Sequence, residues 1–262
     1  MVVYVANPLY DAVFKYLMED ERIAKTILTA LLKKKVVDVK IRRNESNRKR
    51  LATSMCRITL QATILETSND TPMCMNIELE KTWLETPSLS QRQHVAEQYN
   101  NYDNLVCLPN EKAEKTDLKI YILAHRIGNI NAPIFYVKNH TLFDIKQQKL
   151  SLSSPEPFVD TLRQDSIMIQ VSLLTDEPES REEKILSLFC QKHTSPRSKQ
   201  VLGIEENDFK ADEELDYIIY RLQAAACNPD MRSQMDTEDL YLPVLENRDT
   251  QLMVLNHRLE YL

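Results

Sequence analysis

The sequence predicts an α/β protein with a mainly helical C-terminal region. Three observations carry that reading. Two apolar, β-branched runs, Met55 to Leu65 and Met73 to Glu80, flank a polar turn and read as a strand pair. The first thirty residues carry apolar side chains at helical spacing. Only two glycines occur, Gly128 and Gly203, which excludes the glycine-rich phosphate loops of P-loop and dinucleotide-binding proteins.

Asn7-Pro8 reads as a helix start, a capping side chain followed by proline. Leu9, Val13, Phe14 and Leu17 then form one stripe, and Ile23, Ile27, Leu28, Leu31 and Leu32 form a second. Lys33, Lys34 and Lys35 end the second helix, where cations suit the helix dipole. Val36 to Ile41 alternates as a strand does, and the basic run Arg42 to Arg50 reads as a loop. Between the two long strands, Thr67 to Pro72 is rich in turn formers. Ser88 to Asn104 reads as a helix, and Ile120 to Ala124 and Pro133 to Val137 as strands.

The character changes near Ser151. Residues 1–150 are expected to form the core, and 151–262 a mainly helical extension packed on it. Pro157 to Asp160 begins a helix and Ile167 to Leu174 a last strand. Arg181 to Cys190, Asp212 to Cys227 and Met231 to Leu262 read as helices. The last is interrupted by Pro243 and is a candidate for homo-oligomer formation.

A chain of 262 residues with 43% apolar and 27% charged residues has ample material for a core. It contains no apolar run long enough to span a membrane, and its N-terminus lacks the basic region of a signal peptide. A cytoplasmic protein with no membrane partner is therefore expected. The five cysteines are scattered and none is at CxxC spacing, so zinc and a disulfide framework are not expected. Cys56 and Cys74, on the two paired strands, read as facing buried thiols.

The net charge is −6, but it is unevenly spread. Lys33 to Arg50 holds nine basic and two acidic residues, whereas Ile204 to Leu262 holds fourteen acidic and five basic. The basic block could lie along a DNA backbone; it could equally be a solvated loop. Glu78 and Glu80, two apart on a strand, share a face about 7 Å apart and could hold a hard divalent cation. Asp11 and Lys15 read alone as a helix-surface ion pair. His94 and His125 are isolated, and Trp83 reads as a core residue.

The run Asn7 to Asp20 is similar to the start of the bacterial PD-(D/E)XK nuclease family transposases, relatives of the recombination-promoting nucleases. The likeness continues through Arg57 to Ile64, Ile77 to Lys81, Glu97 to Tyr99, Ile120 to Leu123, Asp165 to Gln170, Arg221 to Gln223 and Met235 to Asp239, nearly the whole chain. The resemblance implies a restriction-endonuclease-like core, a mixed sheet flanked by helices, and Mg²⁺-dependent DNA cleavage. It implies catalytic roles for Glu78, Glu80, Lys81, the Thr59 position and Asp11, with Glu78 and Glu80 as metal ligands.

The likeness breaks where the chemistry lies. In the family's first-strand pattern, Arg-Ile-Asp-Phe-Ala-Ala-Thr-Ile, the aspartate falls on Thr59. In its second, Ile-Glu-Leu-Gln-Lys, the glutamate matches Glu78, the glutamine falls on Glu80 and the lysine matches Lys81. The family's arginine-rich helix survives only as Arg92. Metal-assisted phosphodiester cleavage uses carboxylates to fix the cation, and threonine supplies no charge. Weak or absent cleavage is expected, with a DNA- or protein-binding subunit as the alternative and a purely structural assembly subunit as a third. Lys81 reaches the face of Glu78 only if the strand is bulged.

Overall fold

In a computed structural model the described residues are 1–42, 55–65, 71–82, 117–124, 126–127, 129–151, 162, 164–195, 198–241, 244 and 251. The expected helix at Ser88 to Asn104, the start at Pro157, Trp83, Arg92, His94, His125 and most of the basic block lie outside them.

The first strand, β1 (Val2–Ala6), leads into two helices, α1 (Asp11–Met18) and α2 (Glu21–Leu32). Asn7 does not cap α1, which begins four residues later with Tyr10 as its N-cap residue. The reason lies in what Asn7 touches. Its Oδ1 accepts from Leu9 N at 3.0 Å, closing a local turn. Its amide donates to Gln191 Oε1 and to the Lys199 carbonyl, at 2.7 and 2.8 Å. By contrast, Asp20 caps α2 through Arg22 N and Ile23 N. The helix stops at Lys33, whose φ of 53° is left-handed. Val13, Phe14, Leu17, Ile23, Ile27, Leu28 and Leu31 are all buried, as the two stripes require.

A seven-stranded mixed sheet follows. Its strands are β2 (Lys35–Arg42), β3 (Met55–Leu65), β4 (Met73–Thr82), β5 (Leu118–Leu123), β6 (Ile134–Lys138), β7 (Thr141–Asp144) and β8 (Ser166–Gln170). Their spatial order is β2-β3-β4-β5-β8-β6-β7. β2, β3 and β4 form an antiparallel meander; β4, β5 and β8 run parallel; β6 and β7 return antiparallel. Every residue of β5 is buried, which suits a parallel strand covered on both faces. One sheet face, with Leu60, Ala62, Ile64, Ile77, Leu79, Ile120 and Ile122, packs in the cluster that contains α1 and α2. The other face carries a second apolar cluster around Tyr121, Phe135, Leu142 and Met168.

The segment beyond residue 150 is not only helical. It contributes β8 to the middle of the large sheet, so a boundary at 150 would cut through one sheet. It also supplies β9 (Thr194–Ser195) and β10 (Ser198–Glu205), which with β1 form a three-stranded sheet in the order β1-β10-β9. Gly203 stands opposite Tyr4 in that sheet. A Cβ there would lie 3.3 Å from Val2 Cγ1, so the close approach of the two strands favours glycine.

The remaining helices are α3 (Arg181–Ser187), α4 (Glu213–Cys227) and α5 at 229–241. A reciprocal capping box between Ser180 and Glu183 starts α3, and Asp212 caps α4 through Glu214 N and Leu215 N. Met231 and Met235 of α5 are buried in the main cluster. Among the described residues no helix is long and apolar enough to cross a membrane.

Candidate functional site

The hairpin forms as its alternation requires. Thr59 pairs with Glu78 and Cys56 with Lys81 in an unbroken register from Met55 to Ile64. Thr59 therefore sets a hydroxyl, not a carboxylate, on the Glu78 face. The next strand runs parallel, with Lys119 beside Glu78 and Tyr121 beside Glu80. Asn76 and Asp117 lock this join, since Asn76 N donates to Asp117 Oδ2 and Asp117 N to the Asn76 carbonyl, both at 2.9 Å.

Glu78 and Glu80 are both buried. Lys119 lies against both, its Nζ 3.3 Å from Glu78 Oε2 and 3.8 Å from Glu80 Oε1. Burying two carboxylates side by side is costly unless a cation lies within reach. Lys119 provides that cation. Sequence reasoning missed it, because its place depends on the parallel register of β4 and β5, which no local pattern encodes.

Asp11 and Lys81 meet each other, but not the glutamates. β4 has no bulge at Lys81, so its side chain projects to the helical face. There it is fully buried, with Nζ 2.9 Å from Asp11 Oδ1 and 2.7 Å from the Leu9 carbonyl that accepts from it. The ammonium also lies 5.8 Å from the centroid of the Phe14 ring. The expected Asp11–Lys15 pair is present at 3.8 Å. The sheet thus divides the five residues, with Thr59, Glu78 and Glu80 on one face and Asp11 and Lys81 on the other.

The two cysteines of the hairpin do not face each other. Cys56 opposes Lys81 and Cys74 opposes Thr63. Cys56 is buried, and burial followed by the nearby Asp11 carboxylate pushes its thiol up to about 12. Cys74 is exposed.

Two carboxylates on one face offer the oxygen donors that Mg²⁺ takes. The set as arranged does not fit that ion: Lys119 already brings a positive charge between the glutamates, and the third position is the neutral Thr59. Among the described residues no group of three or more His, Cys, Asp or Glu is placed to hold a metal.

Of the basic block, residues 33–42 are described. Lys35 and Lys40 are exposed on β2, an edge strand of the large sheet. The register slips between Val36 and Asp38, a bulge of the kind that protects an open edge. Lys33 donates to the Ile145 carbonyl.

No protein-family model, curated protein or solved structure matches this chain.

Proposed function

We propose that the chain is a degenerate member of the PD-(D/E)XK nuclease/transposase family, with a restriction-endonuclease-like core, that binds DNA and cleaves it weakly or not at all. The observation that carries this reading is the charge arrangement across three strands: Thr59 opposite Glu78, and Lys119 against Glu78 and Glu80. A nuclease of this type concentrates negative charge on one sheet face to hold a cation that activates water. Here that face has lost one carboxylate and gained an internal ammonium. The helix-flanked mixed sheet with its β3–β4 hairpin supports the family reading. The basic segment beginning at Lys33 supports DNA as partner. Exposed Leu240, Tyr241 and Val244 at the end of α5 support self-association through that helix.

The test is plasmid cleavage with Mg²⁺ or Mn²⁺, comparing the chain with its Thr59→Asp variant, beside DNA binding over a salt series. Background cleavage by the parent with salt-dependent binding is the expected result. A second reading is an active endonuclease in which Glu80 replaces the missing aspartate, favoured by its place on the face of Glu78. Robust metal-dependent cleavage by the parent, lost in Glu80→Ala, would establish it. Absence of salt-dependent DNA binding would leave protein binding as the role.

A further inference from the structure

Helix α5 crosses the start of α1 and holds it with side chains. Glu238 Oε2 accepts from Asp11 N and Glu238 Oε1 from Ala12 N, both at 2.8 Å. Tyr10 Oη donates to Asp239 Oδ1 at 2.7 Å. From β10, Gln200 Nε2 donates to Asp236 Oδ1 and Asp239 Oδ2, both at 2.9 Å. Met231 and Met235 are the buried apolar anchors of the same helix. The contact is therefore narrow: two methionines and a row of carboxylates.

We infer that α5 is a proton-controlled clasp on the N-terminus of α1, docked while the Glu238 carboxyl is protonated and loosened when it ionises. Docking takes Glu238 out of water. Two N–H groups at the positive end of a helix favour the charged form. Burial opposes it, and so does the Asp11 carboxylate.

The surrounding charges are mixed. Asp11 and Lys15 face the contact from α1, and Tyr10 precedes them, its hydroxyl held up by burial and by Asp239. Lys81 reaches it from β4 through Asp11. Cys56 of β3 stays a neutral thiol. Gln200 of β10 is neutral, and α5 itself adds Asp236 and Asp239. Burial is the largest influence, and it raises Glu238 from 4.5 to about 7.

The sign follows from linkage. The docked state holds the Glu238 proton more tightly than the released state does. Docking is strongest below pH 4.5 and weakens as pH rises through about 7. Between about pH 6 and pH 8.5 the docking equilibrium falls by up to ~10-fold.

The test is amide exchange of the full chain at those two values, each rate divided by its intrinsic rate. Protection across 231–241 is expected to drop by up to ~10-fold in the native chain, with β5 and β8 unchanged. Glu238→Gln keeps a neutral side chain and should be flat with pH. Glu238→Ala should show low protection in α5 at both values. Native protection that does not change, an equal drop in Glu238→Gln, a parallel drop in β5, or full protection in Glu238→Ala would each overturn the clasp.

Discussion

Glu80 and Lys81 are neighbours in the chain and belong to different environments. Glu80 lies 3.8 Å from Lys119 on one face of β4, while Lys81 lies 2.9 Å from Asp11 beneath α1 on the other. An acidic residue and a lysine side by side look like one site on paper. In the folded sheet the strand itself separates them, and Lys81 joins β4 to the first helix.

Lys81→Met should therefore destabilise the fold. It leaves the Asp11 carboxylate in a buried setting with its close partner gone and strips the Leu9 carbonyl of a donor. Breaking such a pair from one side costs about 3 kcal/mol or more. Urea unfolding measures this. A loss below about 1 kcal/mol would mean that the pair contributes little.

The acidic face should respond to charge reconstruction. Thr59→Asp with Glu80→Gln restores the family's pattern opposite and beside Glu78. Calorimetric titration with Mn²⁺ should detect binding in this double variant and little in the parent. Adding Glu78→Ala should abolish the gain, since it removes the matched carboxylate. Equal Mn²⁺ binding by the parent would contradict the role assigned to Lys119.

Alanine at Arg42, Arg43, Arg48 and Arg50 should weaken DNA binding regardless of sequence. It should also flatten the dependence of log affinity on log salt, by about 0.9 for each phosphate that is no longer neutralised. An unchanged slope would make the block a solvated loop.

Gln170 is a structural clamp. Its Oε1 accepts from Ile127 N at 2.6 Å, and its Nε2 donates to the carbonyls of Ile130 and Ala132 at 3.0 and 2.8 Å. Gln170→Leu leaves three backbone groups without that partner and should cost about 3 kcal/mol. Thermal unfolding and earlier proteolytic cutting near 126–132 would register it.

Thiol labelling should sort the cysteines by environment. Cys74 and Cys227 are exposed and should react at pH 8, whereas Cys56 and Cys190 are buried and raised. Mass spectrometry of labelled peptides reads this directly. Rapid labelling of Cys56 in the native chain would contradict its placement beneath α1.

The parts of the fold legible in the sequence were those encoded by neighbours. The alternation of Ile58, Leu60, Ala62 and Ile64 against Ile77 and Leu79 sets the β3–β4 register. The apolar run at Ile120 marks a strand buried on both faces. The helical stripes name the face that packs. What was not legible depends on distant partners. Strand β1 has no local turn, because its partner β10 lies about two hundred residues away. Asn7 looked like a cap, yet its amide is held by Gln191 and Lys199. Lys119 joined the acidic pair through a parallel register, and Glu238 met α1 through a helix crossing. Local periodicity contains neither relationship.

The β1–β10 pairing also dictates an order of events. Met1 and Glu205 close one end of that ladder with an ion pair at 3.2 Å. At typical synthesis rates residues 2–6 emerge roughly 10 to 40 s before their partner strand exists. During that interval Val2 to Ala6 is an unclaimed apolar strand, exposed to any edge it meets. A chain halted before residue 198 keeps it so. The second sheet is thus assembled last, and ribosome stalling within 150–197 should yield aggregation-prone fragments even though much of the large sheet has been made.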